Sequence, residues 1–374
     1  MSATGAELKR RPLTEQVLKS ARLSQRIHTA HMKNNPMISS LPVLILMPHS
    51  RCDCRCIMCD IWKQRSVQEI SEAQLSKQLT AMQHLGVQWV IFSGGEPLLH
   101  SNLFSLCTLL RDKGIKVTLL STGQRLKELS PEISKCTDGV ILSLDGPEPV
   151  HDAIRRVKGA FARMKEGILA VRNIRPGYAF SGRVTVQRQN FMVLRETVHA
   201  ARILGLDSIS FLAVDVSSNA FNRPTPWDAR KQQQISVPHN QISDLEKEIK
   251  NLIQEFSKEF DSGFIRESPD KMGRIVHHYR ALAGKAPPIS PRCNAPWIST
   301  VIEADGTVRP CFFHEALGNV HEQELGAILN APGARRFRES LDVETNPICQ
   351  RCVCSLFLPM PRRHNDPRIQ INPS

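Results

Sequence analysis

Six short runs rich in β-branched and other apolar residues punctuate residues 43–215. They are VLILM (43–47), VQWVIFS (87–93), KVTLLS (116–121), GVILSL (139–144), GRVTVQ (182–187) and SISFLAV (208–214). Between them apolar residues recur at helical spacing, as at Leu75, Leu79, Met82 and Leu85, or at Leu103, Leu106, Leu109 and Leu110. Alternation of this kind predicts an α/β fold with a parallel sheet and helical crossovers. Six such units suit either a partial (β/α)6 barrel or a doubly wound sheet, and the pattern alone does not separate the two. After residue 215 the pattern breaks. Residues 217–240 are polar with three prolines and read as a linker or loop, and a charged helix is predicted over 241–260. GKAPPISPRC (284–293) marks a second boundary before a cysteine-bearing module, and the proline-rich, unpatterned end from 358 reads as a flexible tail.

Each of the first four runs leads into a chemically loaded segment. LILM is succeeded by CDCRCIMC (52–59), WVIFS by GGEP, VTLLS by TGQ, and GVILSL by DGPEP. Loops at the carboxyl ends of parallel strands line the active site in both architectures, so all of these motifs converge on one edge.

Composition narrows the setting. The 374 residues are 41% hydrophobic and 23% charged, the range of an ordinary globular protein. No run approaches the ~18 apolar residues of a membrane span, and the start has no secretory pattern, so the expected location is cytoplasmic. Reducing surroundings argue against a disulfide framework for the eleven cysteines and favour metal or redox chemistry. Cys107 and Cys136 stand alone in apolar contexts and read as structural thiols. The formal charge of +13 has a share in residues 1–33, where seven Lys or Arg face two Glu. An amphipathic helix there, with Leu13, Val17, Leu18, Leu23 and Ile27 on one side, would pack on the body or touch an anionic membrane surface. Nucleic acid is not an expected partner, because no basic patch is interleaved with aromatics and the chain has only two Tyr.

Cys52, Cys56 and Cys59 stand in C-x3-C-x2-C order. Thiolates held this closely by one loop suit a soft metal centre, zinc or iron–sulfur. Structural zinc normally takes four protein ligands; recruiting Cys54 would supply the fourth, though its one-residue spacing makes a tetrahedral set awkward. Three ligands on a four-iron cube leave one iron open.

CDCRCIMCD, with SGGEP and then SLDG (143–146) further along the chain, resembles the signature of the radical S-adenosylmethionine (radical SAM) superfamily over roughly residues 40–215. Met58 takes a place that is often aromatic in that family. The resemblance implies a partial (β/α)6 radical SAM barrel in which Cys52, Cys56 and Cys59 hold a [4Fe–4S] cluster and Cys54 is a bystander. It implies that the Gly94, Gly95, Glu96, Pro97 segment meets the methionyl group, Gly94 and Gly95 through close backbone approach, Glu96 or the nearby backbone by accepting from the ammonium, and Pro97 by fixing the turn. Ser143 and Arg155 are implied as contacts to the ribose and carboxylate, with Arg156 as the alternative arginine. Ser121 and Thr122 are implied to line the same pocket. Arg183 reads as a contact to substrate or cofactor, or as a surface residue of an edge strand.

Cys293, then Gly306-x4-Cys311, a GN pair at 318–319, and Cys349-x2-Cys352 resemble a SPASM/Twitch module. Five cysteines fit the shorter, one-cluster Twitch pattern. Cys293, Cys311, Cys349 and Cys352 are then the ligands of an auxiliary [4Fe–4S] cluster, with Cys354 a spare, an alternative ligand or a substrate-side thiol; a zinc knuckle is the alternative use of the same residues. The expected organisation is a basic arm (1–40), a radical SAM core (41–216), a linker with helices (217–290), a cysteine-rich module (291–357) and a tail (358–374).

The expected activity is oxidoreduction. S-adenosylmethionine is cleaved reductively, a hydrogen atom is taken from a small-molecule substrate, and the auxiliary cluster assists electron transfer. The alternatives are maturation of a ribosomally made peptide and, outside enzymology, a zinc- or nucleic-acid-binding protein. A flavodoxin or ferredoxin is the expected electron donor. No general base is identifiable from the sequence.

Overall fold

The structure is a computed structural model that describes residues 36–359. The amphipathic arm and its membrane contact fall before residue 36, and the tail from 360 falls after the last described residue. Six parallel strands form the core: β1 Val43–Leu46, β2 Trp89–Phe92, β3 Lys116–Ser121, β4 Gly139–Ser143, β5 Phe180–Val186 and β6 Ser208–Ala213. All six coincide with the apolar runs to within two or three residues. Each strand pairs with its sequence neighbour, giving the order β6-β5-β4-β3-β2-β1. A doubly wound sheet reverses direction at a switch point. This one never does, so the partial-barrel reading holds and the doubly wound one falls.

The helices obey their own local signals. Helix Glu72–His84 opens with a reciprocal capping box between Ser71 and Gln74 and buries Leu75, Leu79 and Met82. Helix Leu103–Arg111 buries Leu103, Leu106, Cys107 and Leu110, so Cys107 is a core thiol as its context predicted. Half-buried Cys136, at the end of helix Ser130–Cys136, accepts a hydrogen bond from Thr108 Oγ1.

The charged helix expected over 241–260 is present as helices Ile242–Glu255 and Ser257–Asp261, whereas residues 217–240 are less loose than a linker, with helix Ala229–Ile235 and buried Arg223, Ile235 and Val237. Helices Ile242–Glu255 and Pro269–Leu282 bury Leu245, Ile249, Leu252, Met272 and Tyr279 in the common core. The Tyr279 hydroxyl donates to Val186 O at the end of β5.

The cysteine-rich module is not a detached appendage. Its first strand, β7 Ser299–Ile302, pairs in parallel with β1, and β8 Thr307–Arg309 and β9 Gly318–Asn319 continue antiparallel from it. Buried Gln78 clamps the join, donating to Val320 O and accepting from Leu325 N. Pro36 and Ile38, counted with the arm, are tied to the same module through Arg338 and Asn330.

Candidate functional site

The loop after β1 carries the first thiols, and backbone bonds hold it to its neighbours. Arg55 N and Ile57 N donate to the carbonyls of Arg155 and Ile154, at the end of helix Glu148–Arg155. Glu96 N donates to Arg51 O at 2.8 Å. Gly95 is the reason this approach is possible, since a Cβ there would lie 2.0 Å from Arg51 O. Gly94 adopts φ +96°, where a side chain would be strained and would strike Met47. The two glycines therefore serve to press the turn after β2 against the cysteine loop.

Burial pushes the Cys52 thiol well up, with the Glu96 carboxyl adding to it, and pushes Cys59 up to about 12. Cys56 is the exception: hydrogen bonding with Cys54, aided by Arg155, brings it down to about 7 against its own burial. Arg155 Nη1 lies 3.5 Å from Cys56 Sγ and Ile61 N 3.4 Å from Cys59 Sγ. Cys54 is buried against Cys56, and the bond to Cys56 together with burial keeps its thiol protonated. Thiols this short of solvent become thiolates when a cationic centre binds them, which suits this donor set to a metal cluster.

The carboxylate of Glu96 turns inward, although an ammonium contact was expected of it. It accepts from Ser121 Oγ (2.9 Å), Thr122 N (2.7 Å) and Leu98 N (3.0 Å). Burial, and then Asp53, push its pKa to about 7. Thr122 Oγ1 donates to Asp53 Oδ1 at 3.0 Å, so β3 is laced to both motif loops. Ser121, Thr122 and Glu96 thus meet one another, and Pro97 opens the short helical turn Pro97–Leu99.

Arg155 is likewise engaged inside the protein. Its guanidinium lies 2.6 Å from fully buried Asp145, as well as against Cys56. Burial works against the Arg155 charge, but Asp145 and Cys56 hold its pKa above the ordinary value. Arg156 is exposed, in a left-handed conformation at the helix end. Ser143 and Arg183 are directly paired on β4 and β5. β5 lies between β4 and β6, so Arg183 is not on an edge strand. Its Nε, and both ends of the fully buried Gln187 amide just beyond β5, have no hydrogen-bond partner among the described residues. Unsatisfied buried polar groups at the carboxyl edge of a sheet fit a polar ligand there, as S-adenosylmethionine is.

His151 lies beneath this edge with no exposed surface. It accepts from Asp145 N through Nδ1, and burial pushes its pKa down to about 3. The unfolded chain binds the proton near pH 6.5, so between 6.5 and 3 stability falls as pH falls. Glu96 works in the opposite sense, since its folded form keeps a proton that the unfolded one releases between pH 4.5 and 7. His151→Gln is therefore expected to flatten the acid side of the stability profile. In urea titrations the wild type should lose up to a few kcal/mol between about pH 6.5 and 4.5 that the variant retains.

A cleft of about 1010 Å³ opens beside β1 and β7. Gly94 and Gly95 lie on one wall, with Asp60 and Ile61 just beyond Cys59, and Cys352 lies on another; Cys52, Cys56 and Cys59 themselves do not line the cleft. Ser121, Thr122, Ser143 and Arg155 do not line it. Asp215 and residues 217–224, part of the stretch 217–240 read as a linker or loop, form a third wall. Arg223 is buried in a 2.6 Å ion pair with Asp215, donates to Met58 O and stacks 3.9 Å over Trp227. Trp227 Nε1 and Asn222 Nδ2 both donate to Asp60. Phe221 and Asn222 have φ of 62° and 63°, strain held by these bonds and by the rings of Phe312 and Phe313 against Phe221. His49, also in the wall, bonds through Nδ1 to Glu69 at 2.8 Å, and Ser101 N donates to the same carboxylate oxygen. Asp53, Asp215, Arg223, Gln187 and His49 escaped the sequence reading. Asp215, standing at the end of the last apolar run, was the one visible signal.

In the module, Cys354 is close enough to bear on Cys293, Cys311 and Cys352, Cys293 and Cys311 bear on Cys352, and Cys349 is near Cys293 and Cys311. Burial raises Cys311 to about 11 and Cys349 to about 12. Cys354, expected to be spare, lies within this group. His314 Nε2 lies 3.4 Å from Cys349 Sγ. Among the described residues, no three His, Cys, Asp or Glu side chains converge as a site for one metal ion.

Comparison with known proteins supplies two domain matches. The model of the Radical SAM superfamily matches residues 46–201, and that of an iron–sulfur cluster-binding domain, SPASM, matches residues 293–353. The chain is 24% identical over 312 residues to the antilisterial bacteriocin subtilosin biosynthesis protein AlbA of Bacillus subtilis, covering 81% of this chain and 63% of that protein. It is 25% identical over 322 residues to the AdoMet-dependent heme synthase of Methanosarcina barkeri, covering 81% and 87%. Among solved structures, Streptococcus suis SuiB bound to S-adenosylmethionine superposes with a TM-score of 0.59 at 15% identity, over 92% of this chain and 79% of that one. No helix among the described residues is long and apolar enough to cross a membrane.

Proposed function

The chain belongs to the radical SAM superfamily and carries a C-terminal iron–sulfur cluster-binding domain, and from that premise we propose that it reductively cleaves S-adenosylmethionine and takes a hydrogen atom from a substrate held in the cleft that Gly94, Gly95 and Cys352 line. The observation that carries this reading is the shared cleft, with Gly94 and Gly95 on one wall and Cys352 on another. When bound, the first cluster and S-adenosylmethionine supply a 5′-deoxyadenosyl radical able to attack an unactivated C–H bond.

The chain's part is positioning, exclusion of water and proton handling. Cys52, Cys56 and Cys59 hold the first cluster and leave one iron to the cofactor. Gly94 and Gly95 allow the methionyl group close to the backbone, while Glu96 braces β3 against the cysteine loop. Arg183 and Gln187 meet the polar parts of the cofactor, and Ser143 lies beside Arg183 for the ribose. Cys293, Cys311, Cys349 and Cys352 would hold an auxiliary cluster, which would supply one-electron redox chemistry; of the four, Cys352 lines the cleft.

His49 accepts the proton that the substrate loses. Glu69 holds Nδ1 and burial keeps the ring neutral, lowering its pKa, so Nε2 is free to receive a proton from the cleft. His49→Gln is expected to lower product formation about 10²-fold while 5′-deoxyadenosine still forms. Equal loss of both would remove His49 from this role.

The cleft is at the upper end of the range for small-molecule sites, and Phe221, Phe312 and Phe313 offer it an apolar wall. A large small molecule is the substrate class we favour, in keeping with the heme synthase similarity. A peptide is the second reading, favoured by the similarity to the subtilosin protein and by SuiB, which has been solved bound to its precursor peptide SuiA. Anaerobic reconstitution tests the chemistry that both share. The expected result is about eight irons per chain as two [4Fe–4S] clusters, with 5′-deoxyadenosine formed on reduction by dithionite. Tight zinc with no cleavage of S-adenosylmethionine would overturn it.

A further inference from the structure

A second cavity, of about 160 Å³, lies between the end of β6, helix Pro269–Leu282 and residues 350–355. Its titratable lining is Lys271, Arg274, His277, His278, Arg351 and Cys352, with no Asp or Glu among the described residues that line it. Lys271 is partly offset by Glu267, 3.6 Å away. Arg274 and Arg351 form no ion pair with another described residue. Arg274 is half-buried and near enough to Cys352 for a charge there to bear on it. Cys352 and Arg351 line this cavity and the main cleft alike, so the ligand-bearing loop is the partition between them. Beside the cations, Ile289 stands 53% exposed between Pro288 and Pro291.

We propose that this face docks an acidic one-electron carrier of the flavodoxin or ferredoxin type, seated against Cys352 to exchange electrons with the auxiliary cluster. Three features favour such an occupant. Unpaired cations around an exposed apolar residue form the rim-and-core pattern of a protein interface. The cavity is too small for a nucleotide and suits carboxylates reaching in from a partner's surface. Its location behind a cluster ligand, on the side away from the substrate, is where an electron must leave without crossing the cleft. One electron passes from the auxiliary centre to the carrier, oxidising one and reducing the other, and no bond forms or breaks.

The inference rests on the cluster assignment proposed above, and the test keeps the two apart. Reconstituted protein is mixed with purified flavodoxin, cross-linked with a zero-length carbodiimide and mapped by peptide mass spectrometry, and the Kd is measured from low to high salt. A cross-link at Lys271 is expected, together with affinity that falls as salt rises. K271E/R274E should weaken binding at least tenfold, whereas K165E, on the exposed face of helix Ala160–Ile174, should not. Iron content and dithionite-driven cleavage of S-adenosylmethionine should match wild type in both variants. Cross-links confined to other lysines, equal binding by both variants, or binding of inorganic phosphate without flavodoxin would each overturn the docking site. Failure of dithionite to drive cleavage in the wild type would instead overturn the proposed function.

Discussion

Replacing Cys52, Cys56 and Cys59 together by alanine is expected to abolish 5′-deoxyadenosine formation and leave about four irons per chain. The reason is the separation of the thiols into two groups on different parts of the chain, of which only Cys352 lines the cleft. The first group is held on the loop between β1 and the GGEP turn, and the second on the module built from β7, β8 and β9. On the proposed assignment neither group borrows a ligand from the other, so one cluster can be lost without the other. Iron analysis and the visible absorption of the remaining cluster check the first half, and chromatography of the nucleoside checks the second. Cys54→Ser is the companion variant. Its thiol is buried against Cys56 and protonated, so the serine should keep most of the cleavage. Cleavage surviving in the triple variant would overturn the ligand assignment, and loss of cleavage in Cys54→Ser would restore a four-thiol site.

The second large effect is expected from one methyl group. In Gly95→Ala the new Cβ lies 2.0 Å from the carbonyl of Arg51, a contact with backbone that no rotamer change can relieve. Either the cysteine loop or the GGEP turn must retreat, and the Glu96 N to Arg51 O bond is lost. A displacement of about 1 Å in a reacting geometry costs about 10²-fold, so S-adenosylmethionine cleavage should fall by about that factor or more, with auxiliary-cluster iron retained. A control at Gly86, where a Cβ meets nothing within 4 Å, carries only the strain of its positive φ and should keep its activity. A Gly95→Ala enzyme with near-normal cleavage would show that the close approach is dispensable.

The fold was largely legible because its strands are short apolar runs separated by helical spacing, and hydrophobic periodicity reports on just that. The thiol positions were legible too, since ligand spacing is local. The features that escaped came from contacts between distant parts of the chain. Residues 217–227 looked like a linker because Pro224, Pro226 and the surrounding polar residues satisfy no periodic pattern. Their partners, Asp60, Met58 and Asp215, lie elsewhere and make a polar segment packable. Glu96 was expected to face the cofactor, but whether a carboxylate turns outward depends on which donors surround it, and those are on β3. His49 looked unremarkable for the same reason: Glu69 orients it from twenty residues away.

The parallel pairing of β7 with β1 bears on how the chain is made. Until residues 299–302 leave the ribosome, VLIL at 43–46 presents an open, wholly apolar sheet edge, more than 250 residues after its own synthesis. Such an edge is a template for pairing with other chains, and closing a contact of that span is slow. Nascent chains therefore spend most of synthesis with this apolar strand uncovered, and expression conditions that favour chaperone capture should raise the yield of correctly closed barrel.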